Sequence, residues 1–287
     1  MSKKHRKYMS NHKLCVAISF ILAFLMSLSL LGVTVLGVVK NGLLSQQTII
    51  DMMKGGYYEA IREKAEEAFS DYTIPTGIDP SVVEDTVAID DVSTDINGYI
   101  YASFSGRDYE PNYTKMNERI KANVVKFFED NSAEITDDKD EIIDRYIQEL
   151  DSIYLSNIEM KFIKPVVSAN NLFSRFYLPV LLALSVLSLA LGLTCVRLHH
   201  YAHRGLRYVV YGVFATALMS LIAPLALIIS GFYKRLLLDP EYFYNLVVSY
   251  VHGFLMRFVY ASLIWFGVGA VLILMIVNMK QNKIKER

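Results

Sequence analysis

Four long apolar stretches dominate this sequence and limit what it can fold into. They hold more than 20 residues each, contain no charged residue, and occupy residues 14–39, 176–196, 208–232 and 258–278. A helix rises about 1.5 Å per residue, so about 20 apolar residues cross the hydrocarbon core of a bilayer. Because backbone groups in hydrocarbon must be hydrogen-bonded within the segment, each stretch is expected to be helical. The sequence therefore predicts four transmembrane helices.

The basic segments beside these stretches indicate an orientation. Residues 1–13 carry five Lys and Arg, 197–207 carry three, and 279–287 carry four together with one Glu. Cytoplasmic segments of membrane proteins are enriched in Lys and Arg. The pattern predicts a cell (plasma) membrane protein whose N- and C-termini and 197–207 loop lie in the cytoplasm.

The segment between the first two spans is strongly acidic. Residues 41–174 carry 12 Lys and Arg against 26 of the chain's 29 Asp and Glu, a net charge of −14. Residues 40–175 are therefore predicted to form an extracellular domain. Residues 233–257 are predicted to be an extracytoplasmic or interfacial segment, although Lys234, Arg235 and Arg257 depart from the charge pattern.

Apolar residues recur at helical spacing through the outer domain. The row from Ile49 to Phe69 predicts that the first span continues outward as a helix, with a weak point at Gly55 and Gly56. Further helices are predicted to start at Asp79-Pro80, at Ile89, at Thr114 and at Thr136, and the second of these is predicted to end at Gly106. The predicted fold is all-α: a four-helix transmembrane bundle with an α-helical extracytoplasmic domain inserted between the first and second spans.

Small residues recur every four positions within the spans. Such rows allow helices to approach closely, and here they predict packing within one molecule. The rows are Ser19, Ala23 and Ser27 on the first span, Ser188 and Gly192 on the second, and Gly212, Thr216, Ser220 and Pro224 on the third.

His199 and His203 are candidate metal ligands. If both lie on one helix, they are one turn apart and present two imidazoles on the same face. A metal site needs more ligands than these two. The favoured interpretation is a basic, partly aromatic loop at the cytoplasmic headgroup surface, without bound metal.

Two further groups of residues are candidates for contacts. Tyr244, His252 and Arg257 fall in the stretch before the fourth span, where aromatic residues form an interfacial belt or, alternatively, a groove for a lipid or apolar ligand. The basic residues of the cytoplasmic loop are candidate contacts for a partner protein: Arg197, Arg204 and Arg207.

Enzyme signatures are not apparent in the sequence. It contains no P-loop, no G-x-S-x-G, no H-E-x-x-H and no dinucleotide-binding glycine pattern. Its acidic clusters lack the spacing of an EF-hand loop, and an acidic outer domain does not favour nucleic acid. We therefore expect a protein that is not an enzyme and uses no cofactor.

Two segments carry a resemblance to known proteins. HRGLRYVVYG (His203 to Gly212) and DPEYFYN (Asp239 to Asn245) resemble segments of uncharacterised four-span integral membrane proteins of Gram-positive bacteria. The order of one span, a large outer domain and three spans is similar to that of FtsX- and MacB-type permease subunits of ABC systems. That resemblance implies a cytoplasmic ATPase that contacts the loop after the second span, here 197–207.

Two functions follow as expectations. The first is a non-enzymatic component of a membrane complex, whose extracytoplasmic domain senses or binds an envelope protein or another protein partner. The alternative is a permease-like or mechanotransmission subunit of an ABC-type assembly. In either case the partners are the lipid bilayer and other membrane or envelope proteins, with an ABC ATPase under the alternative.

Overall fold

The computed structural model describes residues 3–131, 139–199 and 201–285, and this part of the chain consists of helices, turns and connecting segments without a β-strand. The predicted all-α class is confirmed for these residues. The α-helices within them are α1 (Lys3–Val38), α2 (Gln46–Met53), α3 (Tyr57–Thr73), α4 (Ile89–Ser105), α5 (Thr114–Asp130), α6 (Lys139–Ile158), α7 (Ile163–Arg197), α8 (Ala202–Ser230) and α9 (Glu241–Lys285).

Four of these helices are long and apolar enough to cross a membrane, as predicted. The membrane-length segments are Leu14–Leu43, Ile163–Arg197, Ala202–Arg235 and Glu241–Gln281. All four extend beyond the predicted spans, and α7 begins 13 residues before the predicted start at 176. The prediction placed each boundary at the nearest charged residue, but charged side chains at a helix end reach water while the backbone remains helical.

The chain divides into two compact units. The first, called here the spanning unit, comprises the described parts of 1–45, 170–236 and 248–287. The second, called the acidic domain, comprises the described parts of 46–169 together with 237–247. The acidic domain lies within the predicted outer domain, 40–175, except for 237–247, which runs into the first residues of α9.

Within the spanning unit, α1 packs closely on α8 through the predicted small residues. Ser19, Ser27 and Thr216 are fully buried, and the Thr216 hydroxyl lies 3.2 Å from the Ser27 carbonyl oxygen, to which it donates. A Cβ atom on Gly212 would lie 2.9 Å from the carbonyl oxygen of Ala23 and would also collide with the Met26 methyl group. The predicted packing of these rows within one molecule is confirmed.

The outward surface of the spanning unit is apolar. Large side chains on all four long helices are more than half exposed, including Phe20, Leu189, Ile222 and Leu274. Soluble monomers rarely expose apolar surface on this scale, and such a surface is typical of helices that face lipid.

The acidic domain has its own apolar core, formed chiefly by α3, α4, α5 and α6. Its largest fully buried side chains include Phe69, Ile96, Ile120 and Leu150. Gly56 and Gly106 have positive φ angles of 98° and 68° and mark the start of α3 and the end of α4, where a left-handed residue is needed. The predicted end of α4 at Gly106 is confirmed.

Two predicted features of this domain are wrong. The first span does not continue as one helix to Phe69, because a π-helical segment (Val39–Leu43) interrupts it. The helix breaks again in a turn at residues 54–56, and this break confirms the weak point predicted at Gly55 and Gly56. The helix predicted from Asp79-Pro80 is a single 3₁₀ turn (Pro80–Val82), in which Asp79 accepts a hydrogen bond from the Ser81 amide. The chain leaves the helical path at Asp85, whose φ angle is 55°.

The prediction for Thr114 was close. Thr114 is the first residue of α5, and its amide donates to the side-chain oxygen of Asn112. The predicted helix start at Thr136 lies outside the described residues, and α6 is described from Lys139 onward.

The α1–α8 contact predicts the effect of one added methyl group. Gly212→Ala should lower the free energy of unfolding of the protein in detergent by about 1–3 kcal/mol, because the rigid backbone at Ala23 cannot yield to the new Cβ. Gly267→Ala is the matched control, since no atom lies within 4 Å of a Cβ at that position. Thermal unfolding followed by circular dichroism measures both. Equal midpoints for the two variants would contradict the close contact.

Candidate functional site

Two side chains of α9 are hydrogen-bonded to the π-helical segment that follows α1 (Val39–Leu43). The Tyr250 hydroxyl donates to the Leu43 carbonyl, and the Arg257 guanidinium donates to the Asn41 carbonyl. The last carbonyl groups of a helix have no partner within the helix and must be satisfied from outside. Two α9 side chains supply this need where the α1 helix ends.

Two more features fix this end of α1. A Cβ on Gly42 would lie 2.9 Å from Cδ of Arg257, so the residue allows α9 to approach closely. The Lys40 ammonium donates to the side-chain oxygens of Asn170, at 3.0 Å, and Ser174, at 2.6 Å, both on α7. The end of α1 is thus attached to both α7 and α9.

An open groove of about 380 Å³ runs between α1 and α9 from this junction. The Trp265 indole N–H donates to the Thr34 hydroxyl at 2.8 Å across the far end of the groove. The described residues that line it are mostly apolar and are Val33, Thr34, Gly37, Val38, Asn41, Arg257, Tyr260, Ala261, Ile264 and Trp265. The groove therefore has apolar walls, with a cation at one end and an aromatic residue at the other.

The predicted interfacial residues Tyr244, His252 and Arg257 do not form one site. Arg257 belongs to the α1–α9 junction. His252 instead lies against the 3₁₀ helix that follows α8 (Phe232–Arg235), where its Nδ1 is hydrogen-bonded to the Tyr233 hydroxyl at 2.8 Å. Tyr244 belongs to the part of α9 that is grouped with the acidic domain.

The two candidate metal ligands are not on one helix. His199 lies in the turn between α7 and α8, where Nε2 is 3.1 Å from the Ser19 hydroxyl and the ring stacks on Tyr208. His203 lies in the first turn of α8 and stacks on Tyr201. The helical spacing on which the metal hypothesis relied is therefore wrong, and the described residues contain no group of three or more His, Cys, Asp or Glu side chains able to hold a metal.

The predicted basic loop 197–207 is much shorter than expected. Arg197 is the last residue of α7, and Arg204 and Arg207 lie within the first two turns of α8. The turn is tight because Gly205 lets α8 approach the end of α7: a Cβ there would lie 2.6 Å from Cα of Val196. The three arginines are thus held on helix ends, and their contact with a partner remains a prediction.

One polar cluster in the acidic domain was missed by sequence reasoning. Asp95 is only 4% exposed, and its carboxylate accepts hydrogen bonds from the hydroxyls of Tyr109, at 2.8 Å, and Tyr154, at 2.7 Å. Burial, together with the hydrogen bond to Asp95, raises the pKa of both tyrosines, so both hydroxyls remain donors at neutral pH. The sequence did hold a signal for this cluster, because Asp95 lies on the same face of α4 as Val92 and Ile96, which are buried.

A half-buried pair, Asn117 and Asp151, joins α5 to α6. The Asn117 amide donates to one carboxylate oxygen of Asp151 at 3.0 Å. The Oδ1 atoms of Asn117 and Asp151 are buried and have no hydrogen-bond partner among the described residues. Desolvation raises the pKa of the Asp151 carboxyl, partly opposed by the hydrogen bond from Asn117. The pair is an acceptor-rich contact that lacks one donor.

The junction and groove combine a charge, apolar walls and an aromatic ring. The Asp95 cluster joins α4 and α6 to the non-helical segment that holds Tyr109. Comparisons with protein-family models, with curated proteins and with solved structures find no match to this chain.

The Asn117–Asp151 pair predicts a stabilising substitution. Asp151→Asn should raise the thermal midpoint at pH 7, because it removes a desolvated charge and supplies the missing donor. Because burial raises the pKa of this carboxyl, its ionised form is less stable in the folded protein than in the unfolded chain, and ionisation lowers the free energy of unfolding. The gain should therefore vanish at pH 3, below the ordinary Asp pKa of about 3.9, where the protonated carboxyl is neutral and can donate as well.

The matched control for this substitution is Asp108→Asn, at an exposed position. It should leave the midpoint unchanged at either pH. A midpoint for Asp151→Asn that falls at pH 7 would contradict the assignment of a missing donor.

Proposed function

We propose that this protein is a non-enzymatic component of a membrane complex, and that its acidic domain binds an envelope protein or another protein partner outside the cell. Four helices anchor it in the plasma membrane, with both termini in the cytoplasm. The partner is expected to present a basic surface, since the domain's charge is strongly negative.

The observation that carries this proposal is the separation of acidic charge from the spans. Residues 41–174 hold 26 of the chain's 29 Asp and Glu. These residues largely coincide with a compact unit that has its own apolar core and therefore has no need of the membrane for its folding energy. A charged, independently packed domain beside four apolar helices is typical of a protein that acts by contact at the membrane surface.

The orientation is supported by the basic residues at the opposite end of the spans. The segments 1–13, 197–207 and 279–287 carry most of the Lys and Arg that border the apolar stretches. An excess of Lys and Arg within about 15–20 residues of the span ends favours the cytoplasmic side. The acidic domain, which follows the other end of α1, is then extracellular.

The helix α3 offers a defined surface on which to test partner binding. Glu63, Glu67 and Asp71 are exposed and follow one another at four-residue spacing on this helix. Like charges at this spacing destabilise a helix by about 0.2–0.5 kcal/mol per pair. The stability of the helix therefore does not explain this row of acids. Binding to a basic partner would explain it, because the acids would form charge pairs with that partner.

Crosslinking in native membranes, followed by affinity purification and mass spectrometry, tests the proposal. The tagged wild-type protein is compared with a triple variant, Glu63→Gln, Glu67→Gln and Asp71→Asn. A matched control removes three exposed acids elsewhere in the domain: Asp108→Asn, Glu110→Gln and Glu118→Gln. The α3 variant should recover about fivefold less of the partner, since three exposed charge pairs worth about 0.3 kcal/mol each sum to about 1 kcal/mol.

The possible outcomes separate the two functions expected from the sequence. Recovery of an extracytoplasmic partner that depends on the α3 acids supports the proposal, and dependence on the control triple instead would locate the contact on that surface. Stoichiometric recovery of an ABC ATPase, lost when Arg204 and Arg207 are replaced by Glu and indifferent to both triples, would replace the proposal with the ABC-type alternative.

A further inference from the structure

We infer that the groove between α1 and α9 binds one anionic phospholipid, with an acyl chain along its apolar walls and the headgroup phosphate at Arg257. The site belongs entirely to the spanning unit and does not depend on what the acidic domain binds. The direction of the groove, the position of its charge and its open space all favour such a ligand.

Two hydrogen bonds define the direction of the groove. Thr34 of α1 contacts Trp265 of α9, and Asn41 of α1 contacts Arg257 of α9, so the two helices run antiparallel along it. Eight residues separate Arg257 from Trp265, which corresponds to about 12 Å of helix. The groove therefore extends from a cation to an indole ring along one face of each helix.

The charge lies where a phospholipid headgroup would be. Arg257 immediately precedes the charge-free stretch 258–278, and Lys40 immediately follows the charge-free stretch 14–39. Because α1 and α9 are antiparallel, both cations lie at the same end of the bundle, at the boundary of its apolar part. Among the described residues that line the groove, Arg257 carries the only formal charge.

The chemistry of the guanidinium favours a phosphate. Its planar, always protonated fork of N–H donors matches the geometry of phosphate oxygens, and it is less strongly hydrated than an ammonium group. A phospholipid with net negative charge is therefore favoured over a zwitterionic one, whose choline or ethanolamine group would repel the arginine.

The walls of the groove fit an acyl chain. Val33, Val38 and Ile264 present apolar side chains, and a Cβ on Gly37 would have no atom within 4 Å. A groove open to hydrocarbon on a membrane-spanning surface is filled by lipid tails, so the missing side chain at Gly37 leaves room for one. The combination of apolar walls and a terminal arginine selects a lipid rather than free phosphate.

Trp265 provides a direct probe, because it is the only tryptophan of the chain and lines the groove. The full-length protein is reconstituted in phosphatidylcholine bilayers that contain a small fraction of lipid with brominated acyl chains, which quench indole fluorescence on contact. Brominated phosphatidylglycerol is compared with brominated phosphatidylcholine at the same mole fraction. Phosphatidylglycerol should occupy the site about fivefold better, since one basic side chain near an anionic lipid surface contributes on the order of 1 kcal/mol.

Matched variants separate the site from general effects. Arg257→Gln should remove the preference, Arg257→Lys should retain part of it, and Arg175→Gln, which removes an exposed cation outside the groove lining, should leave it unchanged. Gly37→Leu should reduce quenching by both lipids by filling the groove, whereas Gly37→Ala should have little effect.

Two outcomes would overturn the inference. One is equal quenching of the wild-type protein by the two lipids, and the other is an undiminished preference in Arg257→Gln. Trp265 also borders an apolar cleft formed by α1, α7 and α8, and quenching from that side would be indifferent to Arg257. If Arg257→Gln does not fold, the comparison of Gly37→Leu with Gly37→Ala still decides whether lipid occupies the groove.

Discussion

The close contact between α1 and α8 is the interaction on which the spanning unit depends. Inside a bilayer the hydrophobic effect gives no preference for helix over lipid, so association must come from packing and from hydrogen bonds between helices. Gly212 brings the α8 backbone onto α1, and this approach lets the Thr216 hydroxyl reach the Ser27 carbonyl. The other faces of these helices remain apolar and exposed. A short row of small residues thus determines which faces of α1 and α8 pack together, since their large apolar side chains do not favour one face over another.

The α1–α9 junction solves a different problem, which arises where α1 ends. The carbonyl groups of the π-helical segment need donors, and Tyr250 and Arg257 of α9 provide them. The same arginine brings a positive charge to the end of an apolar groove, so a group that completes the backbone hydrogen bonding also creates a place for an anionic headgroup. In the acidic domain, Asp95 has a comparable structural role, since two tyrosine hydroxyls satisfy its buried carboxylate.

Length and charge were sufficient to predict four spanning helices and an all-helical domain, because both follow from hydropathy and local periodicity. Helix ends were less predictable: charged residues at positions such as Arg197 and Arg204 suggested a long loop, although the backbone there is helical. The prediction of a helix from Asp79 was wrong for a related reason. An N-cap signal shows where a helix can begin, but it does not reveal that the chain turns away at Asp85. Arg257 was identified from the sequence as a candidate, but its partners were not. Asn41 and Arg257 are 216 residues apart in the chain, and only tertiary packing brings them together.

The central claim is that four spans hold the acidic domain on the side of the membrane opposite to both termini, and cysteine accessibility tests it most directly. In a background with Cys15→Ala and Cys195→Ala, single cysteines are placed at the exposed positions Glu63 on α3 and Gln281 near the end of α9. A membrane-impermeant maleimide should label Glu63→Cys in intact cells and label Gln281→Cys only after permeabilisation. The reverse pattern, or labelling of both positions in intact cells, would contradict the account.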